Sequence, residues 1–250
     1  MKKNIILSVV CGMVAMASLT SCNDFLQVSA TSQKEMDKSF TTYDELRLAT
    51  AYLYMKPWFG FHSTRLFAMG DARGNNIYGD NNNETGYAPY CLFTDKPNTP
   101  GLADAWNSLY IVVTQADYII NDYAPQGRQH FSEAQANACE GEARFMRAAA
   151  YYYLASYWHD VPIMENPIAH TAPTRFEDVI RYGIRDLEYA AEWLPLADAD
   201  GRVTRYSALG LLARYYVTLA AYARGGHCTQ ATMDYYEASG SHDLADILYD

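Results

Sequence analysis

The chain has 250 residues, 50% hydrophobic and 14% aromatic, with a formal net charge of −10. An acidic balance of that size argues against nucleic acid or an anionic lipid surface as partner. Its five cysteines lack metal-ligand spacing. Tyrosine is the outlier at 22 residues, which calls for amphipathic rings either in packing or against a ligand.

The first element is an export signal. In "MKKNIILSVVCGMVAMASLTSC", Lys2 and Lys3 form a basic start, and Ile5 to Leu19 is an apolar stretch too short to span a bilayer comfortably. Leu19-Thr20-Ser21-Cys22 resembles a bacterial lipobox, in which a thiol is alkylated with diacylglycerol and the chain is cut on its N-terminal side. Residues 1–21 are therefore expected to be a lipoprotein signal peptide and Cys22 the lipidated residue. Several acyl chains on one residue give stable anchoring where one would be marginal. A plain signal peptide with an incidental Cys22, or a short signal anchor, are the competing readings. Loss of residues 1–21 takes Lys2 and Lys3 from the 19 basic side chains and none of the 29 acidic ones, leaving a net charge of −12.

Residues 22–41 are polar without a sustained period and read as a tether; the folded domain is expected over 42–250. Thr42-x-x-Glu45 is a capping box opening a first helix, with Leu46, Ala49 and Leu53 at helical spacing and Pro57 as its stop. A second helix, marked by Trp106, Leu109, Tyr110, Val113, Asp117 and Ile120, follows Pro100-Gly101 and ends near Pro125. A third opens at Ser132-x-x-Gln135. Its apolar stripe is Phe145, Ala149, Tyr152, Ala155, and the opposite stripe is Glu133, Asn137, Glu140, Arg144, Arg147, with Glu140 and Arg144 a favourable i,i+4 pair. A fourth starts at the capping box Thr174-x-x-Glu177 and stops at Pro195. A fifth runs from about Thr204 to Gly225-Gly226, and a sixth is suggested over Met233–Asp250. Similar helices joined by short turns, with Gly141, Ala143 and Gly210 among large rings, predict a mostly α fold of stacked helical pairs of tetratricopeptide type. Trp106, Phe145, Trp193 and most of Tyr151, Tyr152, Tyr153, Tyr215 and Tyr216 are expected in the core.

Residues 57–101 break the pattern. They offer no helix of convincing length, and a loop that long in a compact domain is usually functional or disordered. Its rings argue for order, and Asp71, Arg73, Asn75, Asn76, Asp80, Asn81, Asn82 and Asn83 form a polar cluster among them.

Enzymatic signals are weak. His159-Asp160 with Glu165 and His170 has no metalloenzyme spacing and reads as the end of a helix followed by a turn. Gly240-Ser241-His242-Asp243 holds the letters of a triad, but adjacent side chains diverge. Asp80-x-Asn82-x-Glu84 begins like a calcium loop, yet Thr85 stands where the turn glycine belongs and Cys91 where the bidentate acid belongs. Calcium is thus a weak expectation, and no cofactor is otherwise called for. No carboxylate pair is singled out for glycoside hydrolysis.

Sugar binding makes other demands: a ring for the apolar C–H face, and Asn, Asp or Arg for hydroxyls that donate and accept. On composition the candidate glycan contacts are Asp71, Arg73, Asn75, Tyr78 and Asn82, with Trp58 and Tyr90 beside them. Phe67 and Phe93 are expected to pack the loop onto the helices.

Four segments in order, "AWNSLYIVVTQADYIIND", "GEARFMRAAAYYYLASYWHDVPIMENP", "TRFEDVIRYGIRDLEYAAEWLP" and "GRVTRYSALGLLARYYVTLA", resemble the N-terminal half of the SusD/RagB family, and "SCNDFL" resembles its lipidated N-terminus. The resemblance implies tetratricopeptide-like helical pairs and a non-catalytic surface lipoprotein of the outer membrane. Such a protein would bind glycan and cover a SusC-like TonB-dependent transporter. Family members are far longer, so the C-terminal half of the fold is expected to be missing from this chain. Two other readings stay open: a tetratricopeptide-type scaffold for a protein target, and a glycoside hydrolase.

Overall fold

A computed structural model describes residues 40–55, 58–63, 65–77, 87–164 and 172–226. The signal, Cys22, most of the tether and the suggested sixth helix lie outside these residues. The first helix, α1 (Tyr43–Ala51), opens as expected. Thr42 Oγ1 accepts the Glu45 N–H at 3.3 Å and Glu45 Oε2 accepts the Thr42 N–H at 3.2 Å, so two orphan donors are satisfied reciprocally. The segment from 57 to 101 contributes only short turns among its described residues: α2 (Phe59–His62), α3 (Arg65–Phe67), which runs into a π-turn at Ala68–Ala72, and α4 (Ala88–Cys91).

The second long helix, α5 (Leu102–Tyr118), starts at Gly101 with φ +88°. The Arg65 guanidinium occupies the space where a Cβ would sit, 2.0 Å from Cζ, so both conformation and crowding require glycine there. The helical run ends near Pro125, as expected, but not as one regular helix. A π-turn (Ile119–Tyr123) leads into α6 (Ala124–Gly127), where Pro125 sits in the first turn and its missing N–H is not needed.

The central helix is α7 (Glu133–Trp158), capped by the expected Ser132–Gln135 box. It packs on α5, on α8 (Phe176–Trp193) and on α1, while α9 (Arg205–Arg224) packs on α8, so long helices stack neighbour on neighbour. The fold is mostly α. The only extended pairing among the described residues is the isolated antiparallel bridge between Val161 and Thr174.

That bridge corrects the expected start of α8. Thr174 does not cap the helix; its backbone exchanges two hydrogen bonds with Val161, at 3.1 and 2.9 Å. The N-cap position is Arg175, which makes no side-chain cap bond, and the Phe176 N–H instead donates to Asp160 Oδ1 at 2.9 Å. A carboxylate at the end of α7 thus supplies the acceptor that the helix start needs.

The polar stripe of α7 faces inward. Arg147 is only 4% exposed. It donates to both Asp186 oxygens of α8, at 2.8 and 2.7 Å, and to Asp117 of α5 at 2.6 Å. Arg144 bonds Glu140 at 2.8 Å and Asp186 at 2.9 Å, and Arg128 closes on Glu140. Three helices are therefore cross-linked by paired, hydrogen-bonded charges; the pairing is what makes burying them tolerable. A second clamp ties the two ends of the described fold. Arg202, between α8 and α9, bonds Glu142 of α7 at 2.7 Å and Thr50 of α1 at 2.9 Å, and Arg47 makes a bidentate pair with Asp198 at 2.7 and 2.8 Å.

Candidate functional site

The long segment between α1 and α5 docks against the C-terminal end of α7, and the seam between them is a cleft of about 810 Å³. One wall comes from helix ends. Trp158 and Trp106 meet edge to face, ring centres 5.3 Å apart at 80°, and Tyr157 stands at 82° to Trp158. Trp106 also leans on Tyr110, whose hydroxyl donates to the Pro162 carbonyl at 2.8 Å and so is spent on structure. The helix stops just past this wall because His159 takes φ +65°, which turns the chain away and leaves Trp158 at the lip.

The other wall belongs to the segment. Met69 and Leu102 line it with Tyr90, and Arg73, Asp95 and Lys96 supply the polar rim. Arg73 pairs with Asp95 at 2.9 Å and lies over the Phe93 ring at 5.5 Å. Ser156 also lines the cleft, though its hydroxyl donates back to the Tyr152 carbonyl at 2.6 Å. Burial raises the Tyr157 and Tyr90 phenols above their ordinary pKa; both are neutral donors and acceptors at physiological pH. Tyr157 approaches the π-turn closely enough that a Cβ on Gly70 would sit 3.1 Å from its hydroxyl.

The composition-based candidates divide. Arg73 and Tyr90 line the cleft. Asp71 and Asn75 shape the turn beside it. The Asp71 carbonyl accepts the N–H of Asn76 at 2.8 Å and of Ile77 at 3.3 Å, and its carboxylate takes the Asn76 amide at 3.4 Å. Asn75 adopts φ +60° and donates to the Ala72 carbonyl. The Asp71 charge still acts on the Tyr157 phenol. Trp58 is spent on packing: its indole N–H donates to the Leu53 carbonyl at 2.7 Å and its ring stacks on His62 at 5.1 Å. It helps to line a second, more apolar groove of about 520 Å³ with Phe59, Phe145 and Tyr153. Tyr78, Asn82 and the Asp80–Glu84 run lie outside the described residues.

Two expectations are corrected. Of the rings expected in the core only Tyr151 and Tyr215 are fully buried; Phe145, Tyr152, Tyr153, Trp193 and Tyr216 are partly buried, and Trp106 is half-buried in the cleft wall. Phe93 does not pack the loop down; it is two-thirds exposed beneath Arg73. Trp158, Tyr157, Asp95 and Lys96 were not legible as site residues, because the first two continue a helical run of rings and the others sit in an ordinary turn. Among the described residues, no three His, Cys, Asp or Glu side chains converge as a metal site would require. His159 pairs with Asp160 at 2.7 Å on the surface, and Asp160 also caps the start of α8. A ring-walled cleft with amphoteric hydroxyls and a charged rim can hold a polar ligand that has apolar faces.

The comparisons agree with this architecture. The chain is 33% identical over 214 residues to a SusD-like protein of Bacteroides ovatus, an alignment that covers 82% of this chain and 38% of that protein. A crystal structure containing xylogluco-oligosaccharide is 33% identical, with TM-score 0.61 over 68% of this chain and 34% of the other. A SusD superfamily protein from Bacteroides vulgatus shares the fold at 19% identity, with TM-score 0.65 over 80% of this chain and 44% of its own. The chain thus spans less than half the length of each. A family model described as starch-binding, associating with the outer membrane, matches residues 22–217, and the chain belongs to that SusD-like family.

Proposed function

We propose that this protein captures oligosaccharide or polysaccharide chains in the cleft that residues 69–73 and 90–103 form with the end of α7, without cleaving them. The observation that carries the reading is the wall of Trp106, Trp158 and Tyr157 facing the rim of Arg73, Asp95 and Lys96. Sugar C–H faces pack on such rings while hydroxyls meet the rim, and a volume of about 810 Å³ falls within the range of small-ligand sites, about 300–1,000 Å³. The similar protein solved with xylogluco-oligosaccharide supports the ligand class. In this reading Cys22 carries the lipid that holds the domain on the outer membrane, and the captured glycan is handed to a SusC-like TonB-dependent transporter.

The test is retardation of the purified protein in native gels cast with a panel of polysaccharides. Trp158→Ala removes about half the ring wall while leaving the Arg147 network untouched. Retardation by at least one polysaccharide, lost in Trp158→Ala with unchanged circular dichroism, is the expected result. A folded parent that migrates identically through every gel would refute the proposal, and sugar release during the run would refute its non-catalytic part.

A further inference from the structure

The cleft is charged in the opposite sense to the chain around it. Arg73 and Lys96 line it and Arg65 adjoins it through Tyr90, against one carboxylate, Asp95, in a chain of net charge −10. Asp95 is committed to Arg73. No ion pair joins Arg65 or Lys96 to a carboxylate among the described residues, although Arg73 beside them holds one with Asp95.

Arg65 is held flat against Gly101 and beside Tyr90. Its Nη1 is buried without a hydrogen-bond partner, and the hydroxyl of Tyr90, a residue only 1% exposed, faces the same guanidinium. Buried donors left unpaired are costly, so such a donor marks a place where an acceptor belongs. A neutral sugar brings hydroxyls that donate as well as accept and needs no surplus of cations. A carboxylate or a sulfate ester brings only acceptors and a charge, which suits an unpaired guanidinium at the wall with an ammonium at the rim.

We infer that the cleft selects saccharides bearing a negative charge, a uronate carboxylate or a sulfate ester, with Lys96 and the Arg65–Tyr90 pair reading that charge. The inference rests on the glycan-binding reading and narrows its substrate class. Lys96 is exposed on the rim and meets the anion first; Arg65 and Tyr90 supply the donors at the wall.

The experiment titrates the whole purified chain calorimetrically with four probes: an oligogalacturonate, the same oligosaccharide after carboxyl reduction, a sulfated galactan oligosaccharide, and a neutral xylogluco-oligosaccharide. The expected result is at least about tenfold tighter binding of a charged probe than of the neutral ones. That gap should shrink as salt rises from about 50 to about 300 mM, because an exposed ion pair is screened. Preference for the oligogalacturonate identifies the carboxylate as the group read, and preference for the galactan identifies the sulfate. Lys96→Glu, at an exposed position and checked by circular dichroism, should abolish the gap between charged and neutral probes. Arg65→Gln, checked by circular dichroism, should reduce it by about tenfold. Equal affinity for charged and neutral probes, or a gap untouched by Lys96→Glu, overturns the inference and leaves glycan capture standing. Failure of the folded parent to bind any saccharide overturns glycan capture itself.

Discussion

Gly183→Ala is the sharpest stability test that the structure offers. A Cβ at this position would stand 2.4 Å from both Cε1 and the hydroxyl of Tyr215, and 2.5 Å from its Cζ. In an unobstructed helix the change would gain about 1 kcal/mol from propensity alone. Here the ring has nowhere to go: Tyr215 is fully buried, donates to the Ala148 carbonyl at 2.6 Å and sits 5.3 Å from the Tyr152 ring. Making room strips a buried hydroxyl of its acceptor, at about 1–3 kcal/mol, and overpacks the α8–α9 seam, at about 1–3 kcal/mol. Set against the propensity gain, the net loss is about 3 kcal/mol, which moves a urea midpoint down by roughly 1–3 M at ordinary slopes. Urea unfolding followed by circular dichroism measures it. Tyr215→Leu removes the obstructing ring atoms, so the double variant should cost at least about 1 kcal/mol less than the sum of the two single changes. Tyr215→Phe removes the hydroxyl but keeps the Cε1 and Cζ that crowd the Cβ, so it should relieve less than Tyr215→Leu does. A Gly183→Ala protein as stable as its parent, or strict additivity with Tyr215→Leu, would refute the argument.

Arg147→Met should cost about 3–5 kcal/mol in the same assay, because Asp186 and Asp117 lose a buried cation. Replacing Arg147, Asp117 and Asp186 together with apolar residues of similar size should cost less than that single change. In native protein at pH 7.5 iodoacetamide should label Cys91 and spare Cys139, which is 1% exposed and whose thiol is pushed up to about 12 by burial; peptide mapping decides it. The Arg47 hydrogen bonds hold the Asp198 carboxyl below its ordinary range. A depressed folded-state pKa contributes stability that is fully present above about pH 4 and is lost as pH falls through the folded value. Asp198→Asn should therefore lower stability at pH 7 and flatten its decline below pH 4; an acid limb as steep as the parent's would count against the pairing.

Much of this molecule could be read locally. The Thr42–Glu45 and Ser132–Gln135 boxes involve residues three apart, so their chemistry is contained in the letters. The start of α8 is not legible locally because its cap is remote: Asp160 lies 16 positions before Phe176, and the Val161–Thr174 bridge stands between them. Trp106 shares its helical stripe with core residues, and only the arrival of Trp158 from a distant helix end turns its ring into a wall. On α7, Arg147 looked like part of an outer polar face because its partners Asp117 and Asp186 lie 30 and 39 positions away. Within the loop, composition pointed to the right neighbourhood but could not sort residues that hold the turn, such as Asp71 and Asn75, from those that line the opening, such as Arg73. Turn-building and ligand-binding draw on the same side chains.

The cleft has walls from two stretches of chain more than fifty positions apart, one a rigid helix end and the other a run of short turns clasped to it by Met69, Tyr90 and Phe61. Its existence is therefore a docking event inside the protein, separable from the integrity of the helical stack. A molecule whose turns have peeled away would still scatter light as a folded helical body and yet have nothing with which to grip. Occupancy would hold the two stretches together, so a captive ligand should slow protease cutting between Arg73 and Lys96 far more than it slows cutting anywhere in α7.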